Sequence, residues 1–376
     1  MSLRNTLRAM FQQRIKSANP FLRVLFGITI VLLLGARCQC VTRNPGEISL
    51  IIAGGHTRSV LWIELLSDYF APEINQRLKS NNIPYTISWT EAYGGSVAKL
   101  GGMLEAIEEG LVDMGFVATV FDASKMPLQN VSYMVPFGSS DARVVTKAVM
   151  ELEREIPAMA ESWHQNNMRL LSGAAVDNYD LYTTFPVKSL DDMRGRKILA
   201  PGPAANWVRG TGAVGVSGTL ATYYNDLKTG VADGALTLAS GCYSLRLHEV
   251  VKYMTKVDLG AHFAGGVAIN LDTWKTFPPV VQKIFEEVSH DFTTLLADTT
   301  QMRGELAIKK MVQEGLILSY FSEKERQRWA DSIPNTASVW SETHELRGLP
   351  ARSIVKSYIN KLKNFGVILP RDWSQE

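Results

Sequence analysis

Cysteine is scarce in this chain of 376 residues, which contains only three. Two of them, Cys38 and Cys40, lie close together near the N-terminus, so Cys242 is the only one in the rest of the chain. Once the N-terminal segment with Cys38 and Cys40 is removed, as predicted below, the one remaining thiol cannot form an intramolecular disulfide, and a chain of this length can rely on a large hydrophobic core. We expect Cys242 to be buried and inert rather than catalytic.

The sequence also lacks the motifs of the common catalytic sites. It contains neither a Gly-x-Ser-x-Gly nucleophile elbow nor a phosphate-binding P-loop, and its six histidines do not have the spacing of metal ligands. It has no basic patch with interleaved aromatic residues, which argues against a nucleic-acid partner. We therefore expect a protein without catalytic residues, cofactor or bound metal.

The first forty residues differ from the rest of the chain. They hold six basic residues and no acidic one, so the formal charge of +2 becomes −4 without them. The apolar run VLFGITIVLLLGA follows the basic stretch, which is the order found in a secretory signal peptide, and it is short for a membrane span. We predict that residues 1–40 are a signal peptide that directs export. An uncleaved N-terminal anchor is the alternative, and the cleavage position and lipidation at Cys38 or Cys40 stay open.

Two segments farther along the chain share one pattern: a short helix, a glycine and a strand of small residues. They are LEAIEEGLVDMGFVAT at 104–119 and YYNDLKTGVADGALTLASG at 223–241. Each belongs to a longer alternation of strands and helices, which predicts two α/β lobes with parallel strands. Because ligands bind at the carboxyl ends of strands in such sheets, we expect the two facing edges to form a cleft.

The two corners each carry an aspartate at the same place, Asp113 in the first and Asp233 in the second. A catalytic carboxylate pair would have to meet in space, which equivalent corners of two lobes do not do. Aspartate side chains commonly accept hydrogen bonds from the backbone of turns. We therefore expect each aspartate to hold the local turn.

Residues 279–315 form the other distinctive segment, which begins with Pro279, ends with Gly315 and has no internal proline. At 1.5 Å per residue, an unbroken helix here would be about 50 Å long, more than one small domain. Gly304 is its weak point. We favour one helix that crosses both lobes, and two helices broken near Gly304 are the alternative.

Five short motifs follow one another along the chain: a first-lobe helix-to-strand segment, an Asp-x-x-Gly-x-Lys-Ile strand, a Gly-Ala turn, a Leu-x-x-Gly-x-x-Asp-Gly corner, and Asn-x-x-x-Trp before the long helix. They lie in GGSVAKLGGMLEAIEEGLVDMGF, DDMRGRKILAPG, GAVGVSGTLATYYNDLKTGVADGALT and AGGVAINLDTWKTFPPVVQKIFEEV. Each is weak alone, but in this order and spacing the chain resembles the solute-binding proteins of tripartite ATP-independent periplasmic (TRAP) transporters. The resemblance covers nearly all of the chain after the predicted signal peptide.

The resemblance implies an α/β, two-lobe fold like that of periplasmic binding proteins, with a ligand cleft between the lobes and a long helix spanning both. We expect lobe one at 46–176 plus 265–304 and lobe two at 177–264 plus 305–376. The implied function is capture of a small solute in the periplasm by hinge closure, followed by delivery to membrane permease subunits driven by an ion gradient. The alternatives are an exported enzyme on the same fold and a periplasmic sensor input protein.

The chain departs from this family at an arginine. Members usually carry it two residues after the lysine of the Lys-Ile strand, where it pairs with a substrate carboxylate. Leu199 stands at that place, and a second arginine of some members falls on Tyr179. Either the solute is not a carboxylate, which we favour, or the carboxylate is held elsewhere. Candidate substitutes are His56, Arg58, Lys99 and a helix N-terminus, and candidate aromatic walls are Tyr179, Trp207 and Tyr223.

The family's pocket, transferred position by position, predicts ten ligand-binding residues. Lobe one would supply Gly55, His56, Gly95 and Ala118. Lobe two would supply Tyr179, Leu199, Gly202, Leu220 and Thr237. Asn270 would bind either the ligand or the hinge backbone, and Thr237 and Tyr179 are the best hydrogen-bond donors of the set.

Overall fold

The computed structural model describes residues 46–375, so the predicted signal peptide lies outside the described residues. In the described range, no helix is both long enough and apolar enough to cross a membrane. The described strands are β1 (Glu47–Ala53), β2 (Thr86–Ala92), β3 (Met114–Val117), β4 (Met168–Val176), β5 (Tyr179–Thr183), β6 (Lys197–Ala200), β7 (Val214–Ser217), β8 (Gly234–Leu238), β9 (Tyr253–Lys256), β10 (His262–Asn270) and β11 (Ile317–Tyr320).

The strands form two separate sheets, in the orders β2-β1-β3-β10-β4 and β11-β9-β5-β8-β6-β7. The predicted parallel pairs are present: β1 pairs with β2 and β3, and β6 pairs with β7 and β8. In the second sheet β9 and β11 also pair in parallel. Both sheets are nevertheless mixed, because β10 runs antiparallel to β3 and β4, and β5 runs antiparallel to β8 and β9. The antiparallel strands β5 and β10 each follow a point where the chain passes from one sheet to the other.

The α-helices of the described residues surround these sheets. They are α1 (Leu61–Leu65), α2 (Ala71–Ser80), α3 (Met103–Glu108), α4 (Ala142–Glu155), α5 (Pro157–Gln165), α6 (Leu220–Lys228), α7 (Ala239–Ser244), α8 (Leu271–Thr276), α9 (Pro279–Gln313), α10 (Glu323–Ser332), α11 (Thr336–Glu345) and α12 (Ala351–Asn364). A π-helical turn at Leu66–Phe70 joins α1 to α2. It ends two residues before Pro72, whose missing N–H and bulky ring disturb the regular helix ladder.

The long helix α9 is continuous through Gly304, which confirms the prediction of a single helix. It packs against strand β4 of the first sheet and against helix α4. It also packs against helix α7, which directly follows β8 of the second sheet. One rigid element therefore spans both lobes of the fold.

The lobe boundaries stay predictions. Only Asp177 and Asn178 separate β4 in the first sheet from β5 in the second. In the C-terminal segment, β11 joins the second sheet, whereas α12 packs against α4 beside the first sheet. The C-terminal part of the chain thus contacts both halves.

Asp113 and Asp233 make the same pair of hydrogen bonds in the two sheets. The Asp113 N–H donates to the carbonyl of Ile51, and the Ile51 N–H donates to Asp113 Oδ2 at 2.7 Å. In the second sheet, the Asp233 N–H donates to the carbonyl of Lys197, and the Lys197 N–H donates to Asp233 Oδ2 at 2.8 Å. The expected hydrogen bonding of both aspartates to the backbone is confirmed, but the partner is not the local turn: each aspartate ties the entry to its own strand to the neighbouring parallel strand.

Cys242 is buried in the apolar cluster that covers one face of the second sheet. Burial raises the pKa of its thiol well above the ordinary value, which keeps the thiol protonated and unreactive. The predicted burial of Cys242 is confirmed, and the raised pKa of its thiol agrees with the expected lack of reactivity.

Candidate functional site

A cavity of about 50 Å³ lies where the two sheets face each other. Its wall includes Ala118 directly after β3, Pro201 directly after β6, and Thr237 and Leu238 at the end of β8. These positions are the carboxyl ends of three strands: β3 of the first sheet, and β6 and β8 of the second. The cavity therefore occupies the position at which open α/β sheets bind ligands.

Aromatic side chains dominate the wall of this cavity. The rings are His56, Trp62, Phe116, Phe121, Tyr133, Tyr179 and Tyr223, and the other lining residues are Leu100, Ala118, Val120, Val176, Pro201, Leu220, Thr237, Leu238 and Ala264. None of these described residues is a lysine, arginine, aspartate or glutamate. Burial lowers the pKa of His56 to about 4, so its ring is neutral at pH 7.

Five of the ten predicted ligand-binding residues line the cavity: His56, Ala118, Tyr179, Leu220 and Thr237. They come from both sheets, as the two-lobe interpretation requires. The other five do not line it, and they are Gly55, Gly95, Leu199, Gly202 and Asn270.

Two of these glycines shape the cavity without lining it. A β-carbon at Gly55 would lie 2.5 Å from the Cα of Leu100, so the absence of a side chain lets Leu100 reach the wall. A β-carbon at Gly202 would lie 2.8 Å from the carbonyl oxygen of Val120, which belongs to the opposite side of the cavity. Gly202 also has a φ of +45°, which is unfavourable for other residues. Glycine at 202 therefore allows the two sides to meet.

Gly95 lies behind Gly55, with a φ of +75° in the turn after β2. Its N–H donates to the carbonyl of Gly54 at 3.2 Å. The glycine pairs after β1 and β2 thus hold each other at the edge of the first sheet.

Leu199 lies in β6 and is only 1% exposed. It belongs to the same apolar cluster as Tyr223, which does line the cavity. Both side chains adjoin Gly218, where an added β-carbon would be 3.5 Å from Leu199 Cδ2 and 2.9 Å from Tyr223 Cε1. Leu199 therefore supports an aromatic wall from behind.

Asn270 caps helix α8 instead of facing the cavity. Its side-chain oxygen accepts from the N–H groups of Asp272 at 2.9 Å and Thr273 at 3.1 Å. Its amide nitrogen donates to the carbonyl of Ile107 at 2.7 Å. These bonds tie the start of α8 to the end of α3, and the sequence pattern alone could not separate this capping role from ligand binding.

The candidate cations for a carboxylate lie outside the wall. Arg58 forms an ion pair with Asp68, and its side chain is 55% exposed. Lys99 is exposed as well. Of the side chains considered as substitutes for the family arginine, only the neutral His56 lines the cavity.

Trp62 is one of the ring-bearing wall residues that sequence reasoning missed, together with Phe116, Phe121 and Tyr133. Its ring stacks on Phe116 with 5.5 Å between centroids and meets the His56 ring edge-on at 5.1 Å. Its indole nitrogen is buried and has no hydrogen-bond partner within the described residues 46–375. One feature of the sequence could have indicated that Trp62 lines the cavity: it lies in the first turn of the helix after the first strand, directly beside the predicted cleft.

Trp207 belongs to a buried ring cluster next to the cavity. The cluster consists of Tyr133, Tyr179, Trp207 and His262, with 5.7 Å between the stacked rings of Tyr133 and Trp207. The Trp207 indole donates to the carbonyl of Tyr133 at 3.0 Å. Tyr133 and Tyr179 line the cavity, whereas Trp207 packs behind them. The cluster joins the segment after β6 to the residues around the first sheet.

Comparison with known proteins agrees with this architecture. The model of the bacterial extracellular solute-binding proteins of family 7 matches residues 92–343. A solute-binding protein of Albidiferax ferrireducens is 20% identical over 299 residues, which cover 79% of this chain and 83% of that protein.

Solved structures of TRAP periplasmic solute-binding proteins share the fold. One from Rhodoferax ferrireducens, in complex with copurified benzoate, has a TM-score of 0.75 and 16% identity, covering 85% of this chain and 98% of that chain. One from Desulfovibrio salexigens, an open complex, has a TM-score of 0.74 and 17% identity over 85% and 96% of the two chains. One from a Sulfitobacter species, with bound β-D-galacturonate, has a TM-score of 0.69 and 17% identity over 83% and 100%. The chain belongs to family 7 of the bacterial extracellular solute-binding proteins and has the fold of the TRAP transporter receptors.

Proposed function

We propose that this protein is the extracytoplasmic receptor of a TRAP transporter and captures a small organic solute that carries no carboxylate. The observation that carries this proposal is the cavity wall, in which seven rings and no charged side chain meet at the junction of two sheets. Ligand sites are typically apolar, with a few polar groups that set the orientation of the ligand. His56, Thr237 and Tyr179 are the proposed polar contacts, with Ala118 and Leu220 as apolar ones.

Relatives with this fold have been solved with benzoate and with β-D-galacturonate, both of which carry a carboxylate. A carboxylate in the cavity described here would lose its hydration without gaining a cationic partner, which is costly. Leu199, at the place of the family's arginine, lies in an apolar cluster and offers no donor. We therefore infer a change of solute class, not merely a change in the position of the binding cation.

Hinge closure is the proposed mechanism of capture. The cavity of about 50 Å³ is smaller than the roughly 150 Å³ cavity that holds benzene in an engineered protein. The sides must therefore move apart to admit a ring-sized solute, and the cavity that closes around the solute must be larger than the one described here. The segments that connect β4 to β5 and β9 to β10 pass between the sheets and are the proposed hinge, together with α9.

Delivery to membrane permease subunits, and periplasmic location after removal of residues 1–40, are the remaining parts of the proposal. They are supported by the family to which the chain belongs. Uptake of the solute by vesicles that contain the permease subunits should depend on addition of this protein and on an ion gradient. Uptake that is equally fast without the protein would contradict the proposed role.

A thermal-shift panel tests the solute class. The purified protein is first unfolded and refolded to remove ligands carried over from the cells, and is then mixed with matched pairs such as benzoate and benzamide, or pyroglutamate and 2-pyrrolidinone. A ligand at 100 times its dissociation constant stabilises the folded protein by about 2.7 kcal/mol, which raises the melting temperature. We expect the uncharged member of a pair to raise it. A shift with the carboxylates alone would overturn the proposed solute class.

A further inference from the structure

Three of the twelve buried polar side-chain atoms that have no partner among the described residues belong to residues at or beside this cavity. Besides the indole nitrogen of Trp62, the Thr119 hydroxyl and His262 Nε2 are buried and make no hydrogen bond among the described residues. Thr119 lies between two wall residues, and the His262 ring stacks on that of Tyr133, with 4.9 Å between centroids. Buried polar groups are nearly always paired, so such a group of unpaired ones marks a place where a partner is expected.

Trp62 has the clearest geometry of these residues, because it lines the cavity itself. An indole has one donor and no acceptor, so the partner of Nε1 must be an acceptor. Thr237, a buried residue on the opposite side of the cavity, carries a hydroxyl that can donate or accept a hydrogen bond. Trp62 and Thr237 thus add a polar group on each side of the cavity to those of His56 and Tyr179.

We propose that the Trp62 indole donates a hydrogen bond to the solute, and that the solute is an uncharged ring compound bearing a carbonyl oxygen, such as an aromatic amide. This inference rests on the proposed receptor function and names the chemistry of the same cavity. The ring of the solute packs among the aromatic side chains of the wall, where stacked and edge-on contacts are favourable. The carbonyl oxygen accepts from Trp62, and Thr237 provides the second polar contact.

Substitution Trp62→Phe tests the inference, because phenylalanine keeps an aromatic ring and removes the donor. Dissociation constants are measured by titration calorimetry for benzamide and for toluene, which has a similar ring but no acceptor. We expect Trp62→Phe to weaken benzamide binding about tenfold, the effect of one hydrogen bond, and to leave toluene binding unchanged. Equal weakening of both ligands would mean that Trp62 serves only for packing and would overturn the inference.

Trp373→Phe is the matched control. Trp373 is also buried with an unpaired indole nitrogen, but it does not line the cavity. This variant should bind benzamide like the wild type.

If Trp62→Phe also binds benzamide like the wild type, Trp62 is not the donor, while the proposal of an uncharged solute still stands. If the wild type binds benzoate and not benzamide, both the inference and the proposed solute class are wrong. Failure of benzamide to bind at millimolar concentration overturns the carbonyl-ring inference as well.

Discussion

Gly304 of helix α9 lies directly against Asp177, the residue that follows β4: a β-carbon at 304 would be 2.8 Å from Asp177 Oδ2. Asp177 is buried and accepts hydrogen bonds from both the backbone N–H and the hydroxyl of Ser240, at the start of α7. Burial raises the pKa of its carboxyl to about 6. One contact therefore joins the long helix, the chain crossing between the sheets and the helix after β8. This contact explains a glycine in the middle of a long helix.

Substitution Gly304→Ala should destabilise the protein. Alanine has the better helix propensity by about 1 kcal/mol, but its methyl group would overlap Asp177 at a position with no free space. We expect a net loss of about 1 to 2 kcal/mol in the free energy of unfolding, measured with urea. Gly101→Ala is the control, since a β-carbon there has no neighbour within 4 Å. Equal stability of Gly304→Ala and the wild type would show that the helix and Asp177 separate easily.

Gly202→Ala should impair closure of the cavity. The added methyl group would press on the carbonyl of Val120 across the cavity, besides straining a backbone with positive φ. We expect solute affinity to fall about tenfold, because the closed form that binds the solute becomes less stable relative to the open form. The measurement is calorimetric titration with whichever compound raises the melting temperature most.

Gly230→Ala separates backbone strain from closure. Gly230 also has a positive φ, of +74°, but a β-carbon there would meet nothing within 4 Å. It should lose stability without losing affinity. If both variants lose affinity alike, contact between Gly202 and Val120 is not what limits closure.

Glu153→Gln should stabilise the protein at high pH. Glu153 is buried on α4, where it accepts from Gln129 Nε2 at 3.3 Å and Trp163 Nε1 at 3.2 Å, and burial raises its pKa to about 7. Because the folded protein holds this proton more tightly than the unfolded chain, its contribution to stability is lost as pH rises from about 4.5 to 7. We expect Glu153→Gln to gain up to about 3 kcal/mol at pH 8 and little at pH 4. Urea unfolding at both pH values measures the difference.

Glu151→Gln is the control on the same helix. Glu151 pairs with Lys361 at 2.9 Å near the surface, so its neutralisation should cost a little stability at pH 8. A gain for Glu153→Gln that is the same at both pH values would contradict the assignment to the buried charge.

Leu199→Arg should allow a carboxylate to bind and should lower the stability of the protein without ligand. A guanidinium among apolar side chains is costly until an anion pairs with it. We expect a lower melting temperature than that of the wild type, and a rise on addition of benzoate that the wild type does not show. Leu236→Arg, at another buried leucine outside the cavity wall, should be destabilised without rescue by benzoate. Rescue of both variants would point to general anion binding.

Local pattern in the sequence accounts for much of the fold. Residue alternation and glycine stops predicted β1, β3 and β8, and the run of residues without an internal proline predicted α9, because these signals depend on neighbours along the chain. The repeated corner also indicated a backbone-binding role for Asp113 and Asp233, but their partners Ile51 and Lys197 lie far away in the chain and were not predicted. By contrast, the glycine-rich segment around Gly215 reads as a turn, yet it forms β7. A β-carbon there would lie 2.3 Å from the carbonyl of Ala205, so packing on the preceding helical turn selects glycine.

By itself the sequence determined the family, the alternation of strands and helices, and five residues of the cavity wall. Only the tertiary structure decided that the Asn270 side chain caps a helix and that Leu199 lies behind Tyr223. It also decided that Trp62, whose indole donor has no partner among the described residues, lines the cavity. The physical reason is that the wall combines side chains far apart in the chain. Whether a side chain reaches the cavity depends on how the two sheets face each other, and no local pattern encodes that relation.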